Sequence, residues 1–94
     1  MVDERAVSAF PNPFTTSTTI SLILPSVSGD ELVEILIYDI SGKLIKAMEE
    51  RTDNGKLSIT WNGENESGEA TAKGTYLIMV KSKSYIQTLR VIKQ

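Results

Sequence analysis

The chain has 94 residues, enough for one domain, with 12 acidic and 10 basic side chains and a net charge of −2. An apolar content of 40% suits a globular fold and is too high for a disordered chain, while the near balance of charge argues against a nucleic-acid surface, which needs a clustered positive patch. Cysteine and histidine are both absent, which removes any disulfide framework or thiolate, the commonest general base and the commonest metal ligand.

Strand signals fill the chain in order. "RAVSAF" (5–10) reads as the start of a first strand, with residues 1–8 otherwise expected to be linker. "FPNPF" (10–14) follows. Proline fixes its own φ and restricts the residue before it, so this stretch is expected to be a rigid bend. Phe10 and Phe14 are expected to seal the end of the domain on either side of it. "STTISLIL" (17–24) is rich in β-branched residues and stops at Pro25.

"ELVEILIYDI" (31–40) carries Val33, Ile35 and Ile37 on one face and Leu36, Tyr38 and Ile40 on the other, as in a strand covered on both sides. After a Ser41-Gly42 turn, "KLIKAM" (43–48) reads as a shorter strand. "AMEERTD" (47–53) has helical composition for one turn, but is too short and too close to Asn54-Gly55 to stand as a helix. "KLSITW" (56–61) alternates, with Leu57, Ile59 and Trp61 inward. "TYLIMV" (75–80) is a continuous apolar run, suited to a central strand. "YIQTLRVI" (85–92) closes the chain, with Leu89 and Val91 on one face and Arg90 and Lys93 expected as outward charges.

Turn residues punctuate these runs at Ser28-Gly29-Asp30, Ser41-Gly42, Asp53-Asn54-Gly55, Asn62-Gly63, Ser67-Gly68 and Lys73-Gly74. About seven short strands with such spacing predict an all-β antiparallel sandwich of immunoglobulin or fibronectin III type. Trp61 is then a core residue. Tyr76, two residues after a glycine, suits a tyrosine corner, its hydroxyl bonded to the backbone of the preceding turn.

Candidates for chemistry are few. Asn62, Glu64, Asn65 and Glu66 offer oxygens to a hard cation, but the spacing is not that of an EF-hand, and a solvated hairpin loop accounts for the stretch. Asp30-Glu31 and Glu49-Glu50 are carboxylate pairs, but adjacent residues on a strand point to opposite faces, so neither pair is taken as a catalytic dyad. No pattern activates a serine, and no glycine-rich phosphate cradle opens a helix. No catalytic residue, metal ligand or cofactor is therefore expected, and no enzyme. The uncharged stretch from Ala6 to Gly29 is interrupted by Pro11, Pro13 and Pro25, and Ile20–Leu24 falls far short of the roughly 20 residues of a spanning helix. No transmembrane segment is expected, and no apolar leader follows Met1.

Taken together, "FPNPF" (10–14), "TTISLILP" (18–25), "VEILIYDISGKLIK" (33–46), "ITWNGENESGE" (59–69), "AKGTYLIMV" (72–80) and "TLRVIKQ" (88–94) resemble the type A C-terminal sorting domain of the Bacteroidetes type IX (Por) secretion system. The same set is similar to the immunoglobulin-like domain of flagellar hook-capping proteins. The resemblance runs from about Ala9 to Lys93 and implies a β-sandwich, residues 9–94, at the C-terminal end of a larger secreted protein.

It further implies that the module directs an N-terminal cargo domain across the outer membrane to the cell surface. Its partners would be the type IX translocon and the surface-attachment machinery. The recognition role falls on the last strand: Thr88, Leu89, Arg90, Val91, Ile92, Lys93 and Gln94. Such recognition would use an exposed strand edge, where main-chain groups pair and alternate side chains confer choice. The competing expectation is an accessory immunoglobulin-like spacer, or a carbohydrate-facing module showing a planar set of exposed aromatics.

Overall fold

The computed structural model describes residues 6–23, 30–83 and 85–94. They form seven strands: β1 (Ala6–Phe10), β2 (Thr18–Ile23), β3 (Leu32–Asp39), β4 (Leu44–Arg51), β5 (Lys56–Trp61), β6 (Gly74–Ser82) and β7 (Tyr85–Lys93). One sheet has the order β1-β2-β5 and the other β4-β3-β6-β7, with every paired strand antiparallel. The fold is the expected sandwich. The fourth strand lies beside the third, whereas in the immunoglobulin constant arrangement it joins the sheet of the first two.

Alternation explains the core. Ile20 and Leu22 of β2, Val33, Ile35 and Ile37 of β3, Leu57 and Trp61 of β5, Tyr76, Ile78 and Val80 of β6, and Tyr85 and Val91 of β7 are buried between the sheets. Period-two patterning delivers all of them to the same interior. β6 lies between β3 and β7, and its outward Leu77 and Met79 are half-buried there. Asn54 and Gly55 turn the chain from β4 to β5 with φ of 54° and 76°, closed by Asp53 and Lys56, which exchange backbone bonds of 2.8 and 3.0 Å. Two left-handed residues in succession are the requirement that Asn-Gly meets.

Three expectations need correction. β4 continues to Arg51, so the Glu49-Glu50 stretch is strand and exposed. The outer face of β3 is not covered: Leu36 and Tyr38 are half-buried and Ile40 is 78% exposed in the following turn. Phe10 does not seal the sandwich; it is 79% exposed, while Phe14 is 1% exposed. Ala6–Ser8 belong to β1, paired with Leu22, Ile23 and Ser21 of β2. Pro25 and the Ser28-Gly29 part of the first turn lie outside the described residues.

Candidate functional site

The quoted motifs, far apart in sequence, meet at one pole of the sandwich. Register sets this: Asp39 faces Tyr76, Gly74 faces Lys93, and Thr18 faces Trp61. An aromatic plug closes the pole. Trp61 packs against Phe14 with ring centroids 5.5 Å apart and against Tyr76 at 5.2 Å, both in tilted or edge-on geometry, the arrangements that the ring quadrupole favours. The polar ends of the plug are satisfied. The Trp61 indole donates to the Glu64 carbonyl at 2.8 Å, and the Tyr76 hydroxyl donates to the Ala72 carbonyl at 2.5 Å, the tyrosine corner expected from the sequence. Buried Thr18 donates to the Pro11 carbonyl at 2.8 Å.

"PNPF" is the connection between this plug and β7. The Asn12 side-chain amide donates to the Arg90 carbonyl at 2.9 Å and accepts from the Ile92 N–H at 3.0 Å. One donor and one acceptor are what a peptide group presents, so this side chain stands in for a strand residue. Phe14 continues the pairing in parallel sense: its N–H donates to the Ile92 carbonyl at 2.9 Å, and its carbonyl accepts from the Gln94 N–H at 2.8 Å. Pro11 and Pro13 follow cis peptide bonds and carry no N–H, so the segment ends the ladder rather than offering a new edge.

A second tie holds β7 from inside. Lys93 was expected outward, but it shares the inward face of Leu89 and Val91. Its half-buried ammonium donates to the carbonyls of Gly63 at 3.2 Å and Thr71 at 2.6 Å, with the Thr71 hydroxyl at 3.4 Å. Three oxygens match the three donors of an ammonium group. Gly63 has φ of 69°, and a Cβ there would stand 3.1 Å from Lys93 Cε. The backbone conformation calls for glycine, and a side chain there would also press on the Lys93 stem.

The remaining motif pieces are turns that satisfy themselves. In "YDISGK" the exposed Asp39 carboxylate accepts from the Ser41 hydroxyl at 2.6 Å and from the backbone N–H groups of Ser41 and Lys43 at 2.9 and 3.0 Å. The Ser41 hydroxyl, then the Lys43 N–H, hold its pKa below the ordinary value, partly opposed by desolvation. In the 62–73 loop, Asn65 accepts from the Ser67 and Glu69 N–H groups through its side chain. Glu66 reaches β4, where its N–H donates to the Ile45 carbonyl at 3.1 Å and its carboxylate accepts from the Ala47 N–H at 3.1 Å. Of the groups considered for calcium, the Glu66 carboxylate and the Asn65 side chain thus hold backbone, and no acidic cluster suited to a metal ion occurs among the described residues. Of the six aromatic residues only Phe10 is exposed, so no planar aromatic platform is displayed.

Of the seven residues assigned to recognition, Thr88, Arg90, Ile92 and Gln94 are exposed, Leu89 and Lys93 are half-buried and Val91 is buried. Sequence reasoning missed Asn12 and Gly63 as the residues that tie the terminal strand down.

The family model for the FlgD Ig-like domain matches residues 12–85. The chain belongs to this family. The match spans β2 to β6, together with Asn12 and Phe14. No curated protein matches the chain. Among solved structures, the crystal structure of dimeric latent PorU from Porphyromonas gingivalis is similar to all of this Ig-like chain, with 25% identity and a TM-score of 0.75 over 10% of the PorU chain. PorZ is described as an essential bacterial surface component of the type-IX secretion system of P. gingivalis. It is similar in fold to 95% of the chain, with 21% identity and a TM-score of 0.63 over 11% of its own length. The Ig-like chain therefore spans about a tenth of either protein.

Proposed function

We propose that this Ig-like domain is a non-catalytic sorting and anchoring module, residues 9–94, which directs an attached secreted cargo across the outer membrane to the cell surface by type IX secretion. The observation that carries the reading is the state of β7. It is the last strand, it lies at a sheet edge, and it exposes Thr88, Arg90 and Ile92 on its outer face. The likeness to PorU extends through this strand, and the similar fold in PorZ belongs to a type-IX surface component. The translocon is the partner that reads Thr88–Gln94; the outer side chains carry the choice, while Leu89, Val91 and Lys93 hold the strand in the fold.

A second reading, an immunoglobulin-like spacer, draws on the family match, which ends at Tyr85 and so leaves out the face in question. The two part at that face. Residues 9–94 fused to a periplasmic reporter, in a bacterium with type IX secretion, are expected to appear at the surface. Deletion of Thr88–Gln94, and the core-sparing pair Arg90→Glu with Ile92→Ser, are expected to hold the reporter in the periplasm. Retention of the intact fusion sinks the sorting role. Export of the intact fusion and of both altered forms overturns the role given to Thr88–Gln94.

A further inference from the structure

β7 is paired along one side by β6 from Tyr85 to Lys93. On its other side, residues 12–14 occupy only the end of the strand, through Arg90, Ile92 and Gln94. Main-chain groups of alternate residues face the same side of a strand. Those of Ile86 and Thr88, and the N–H of Arg90, therefore face outward, and no described strand lies beyond them. The chemistry of this open half is distinctive. Ile86 is 63% exposed, and no charge occurs from Ser84 to Leu89. The flanks are both cationic: exposed Lys83 on one side and exposed Arg90 on the other, neither in an ion pair among the described residues. From Lys81 to Gln94 the chain has four basic residues (Lys81, Lys83, Arg90 and Lys93) and no acidic one, although the whole chain is net negative. Lys81 is paired with Glu34 at 3.6 Å and Lys93 is turned inward, so the available charges are the two flanking ones.

We infer that Ile86–Arg90 is a strand-addition site for an extended segment of a partner protein, uncharged and β-branched in its centre and acidic at its ends. Main-chain pairing supplies the affinity, and the flanking cations fix which segment fits. The site is short, about 13 Å at 3.3 Å per residue, and it is bounded by the β6–β7 turn and by Asn12. A second copy is a poorer occupant. Antiparallel self-pairing of five residues sets Ile86 against Arg90 and buries far less than the ~1,200 Å² of a stable interface. The export reading identifies the partner's setting; the site itself rests on the edge geometry alone.

The test is an NMR titration of the 94-residue chain with the capped peptide Asp-Thr-Val-Thr-Val-Thr-Val-Asp, whose carboxylates stand as many residues apart as Lys83 and Arg90. Amide shifts are expected at Ile86, Thr88 and Arg90. They should vanish with a peptide N-methylated at alternate residues and weaken about fivefold when lysines replace the terminal aspartates. Thr88→Pro removes an outward N–H without touching the β6 ladder and should abolish the shifts. Absence of shifts at millimolar peptide, or shifts that survive N-methylation, overturns the inference. So does a concentration-dependent change in the free chain, which would make a second copy the occupant. Because the export assay reads only where a fusion resides, either result can fail without the other.

Discussion

The four-stranded sheet has two edges, and the chain treats them differently. At β4, Glu66 clamps Ile45 and Ala47, and the rest of the strand carries Glu49, Glu50 and Arg51, all exposed. Charged side chains on an edge discourage another strand from pairing there. At β7, Asn12 and Phe14 clamp the last residues, but the unclamped part is Ile86-Gln87-Thr88, without charge. Both edges are thus capped at the motif-rich pole by a loop that supplies surrogate pairing. Away from that pole one is defended and the other is left open. The difference locates where this domain can accept a strand without losing one of its own.

The clamp on β7 can be broken in steps. The largest loss should follow Phe14→Ala, which empties the plug against Trp61 and frees the backbone that pairs with Ile92 and Gln94. About 3–5 kcal/mol is expected for a buried aromatic, read as a lowered urea midpoint. A loss under 1 kcal/mol would show that the pole repacks without it. Gly63→Ala comes next, at about 1–2 kcal/mol for a non-glycine residue at positive φ, with the Lys93 ammonium displaced from the Gly63 carbonyl. If stability is unchanged, the inner tie to β7 is not a constraint. Asn12→Ala and Glu66→Ala then compare the two edges directly. Asn12 makes two bonds to β7 and should cost about 1–2 kcal/mol. The Glu66 carboxylate makes one bond to β4, where the backbone bond to Ile45 survives, and should cost about 0.5–1 kcal/mol. Hydrogen exchange should quicken at Ile92 in the first variant and at Ala47 in the second. The reverse ranking would mean that the β4 clamp, and not the β7 clamp, is the tighter.

Much of this was legible before any coordinates. Alternation in "KLSITW" identified Leu57 and Trp61 as core, Asn54-Gly55 announced its turn, and Tyr76 its corner. What failed was reading charge and size ahead of parity. Lys93 shares its face with Leu89 and Val91, so the pattern already placed it inward, and only its charge suggested otherwise. Phe10 alternates with half-buried Val7 and Ala9 onto the outer face of β1, whatever its bulk. The Asn12 clamp had no local signal, because its partners lie 78 and 80 residues away and a side chain mimicking backbone leaves no periodic trace. The open edge on β7 was likewise invisible, since strand order within a sheet is not written in any one strand.

The smallest effect concerns the Asp39 turn, which belongs to neither clamp and so serves as their control. Its carboxylate lies at the surface, and its pKa is lowered by the Ser41 hydroxyl and then by the Lys43 N–H. A depressed folded-state pKa means that the ionised form is the one the fold stabilises. The contribution is therefore complete above the ordinary carboxylate pKa of about 4 and is lost as pH falls through the lower folded value. Asp39→Asn keeps an acceptor for the turn but removes the titration. It should be slightly less stable than the parent at neutral pH, and the difference should narrow towards pH 3. Neither Asn12 nor Phe14 titrates, so the losses at the β7 clamp should persist across the same range. A gap between Asp39→Asn and the parent that stays constant from pH 7 to pH 3 would show that the turn is held by its shape and not by the charge of Asp39.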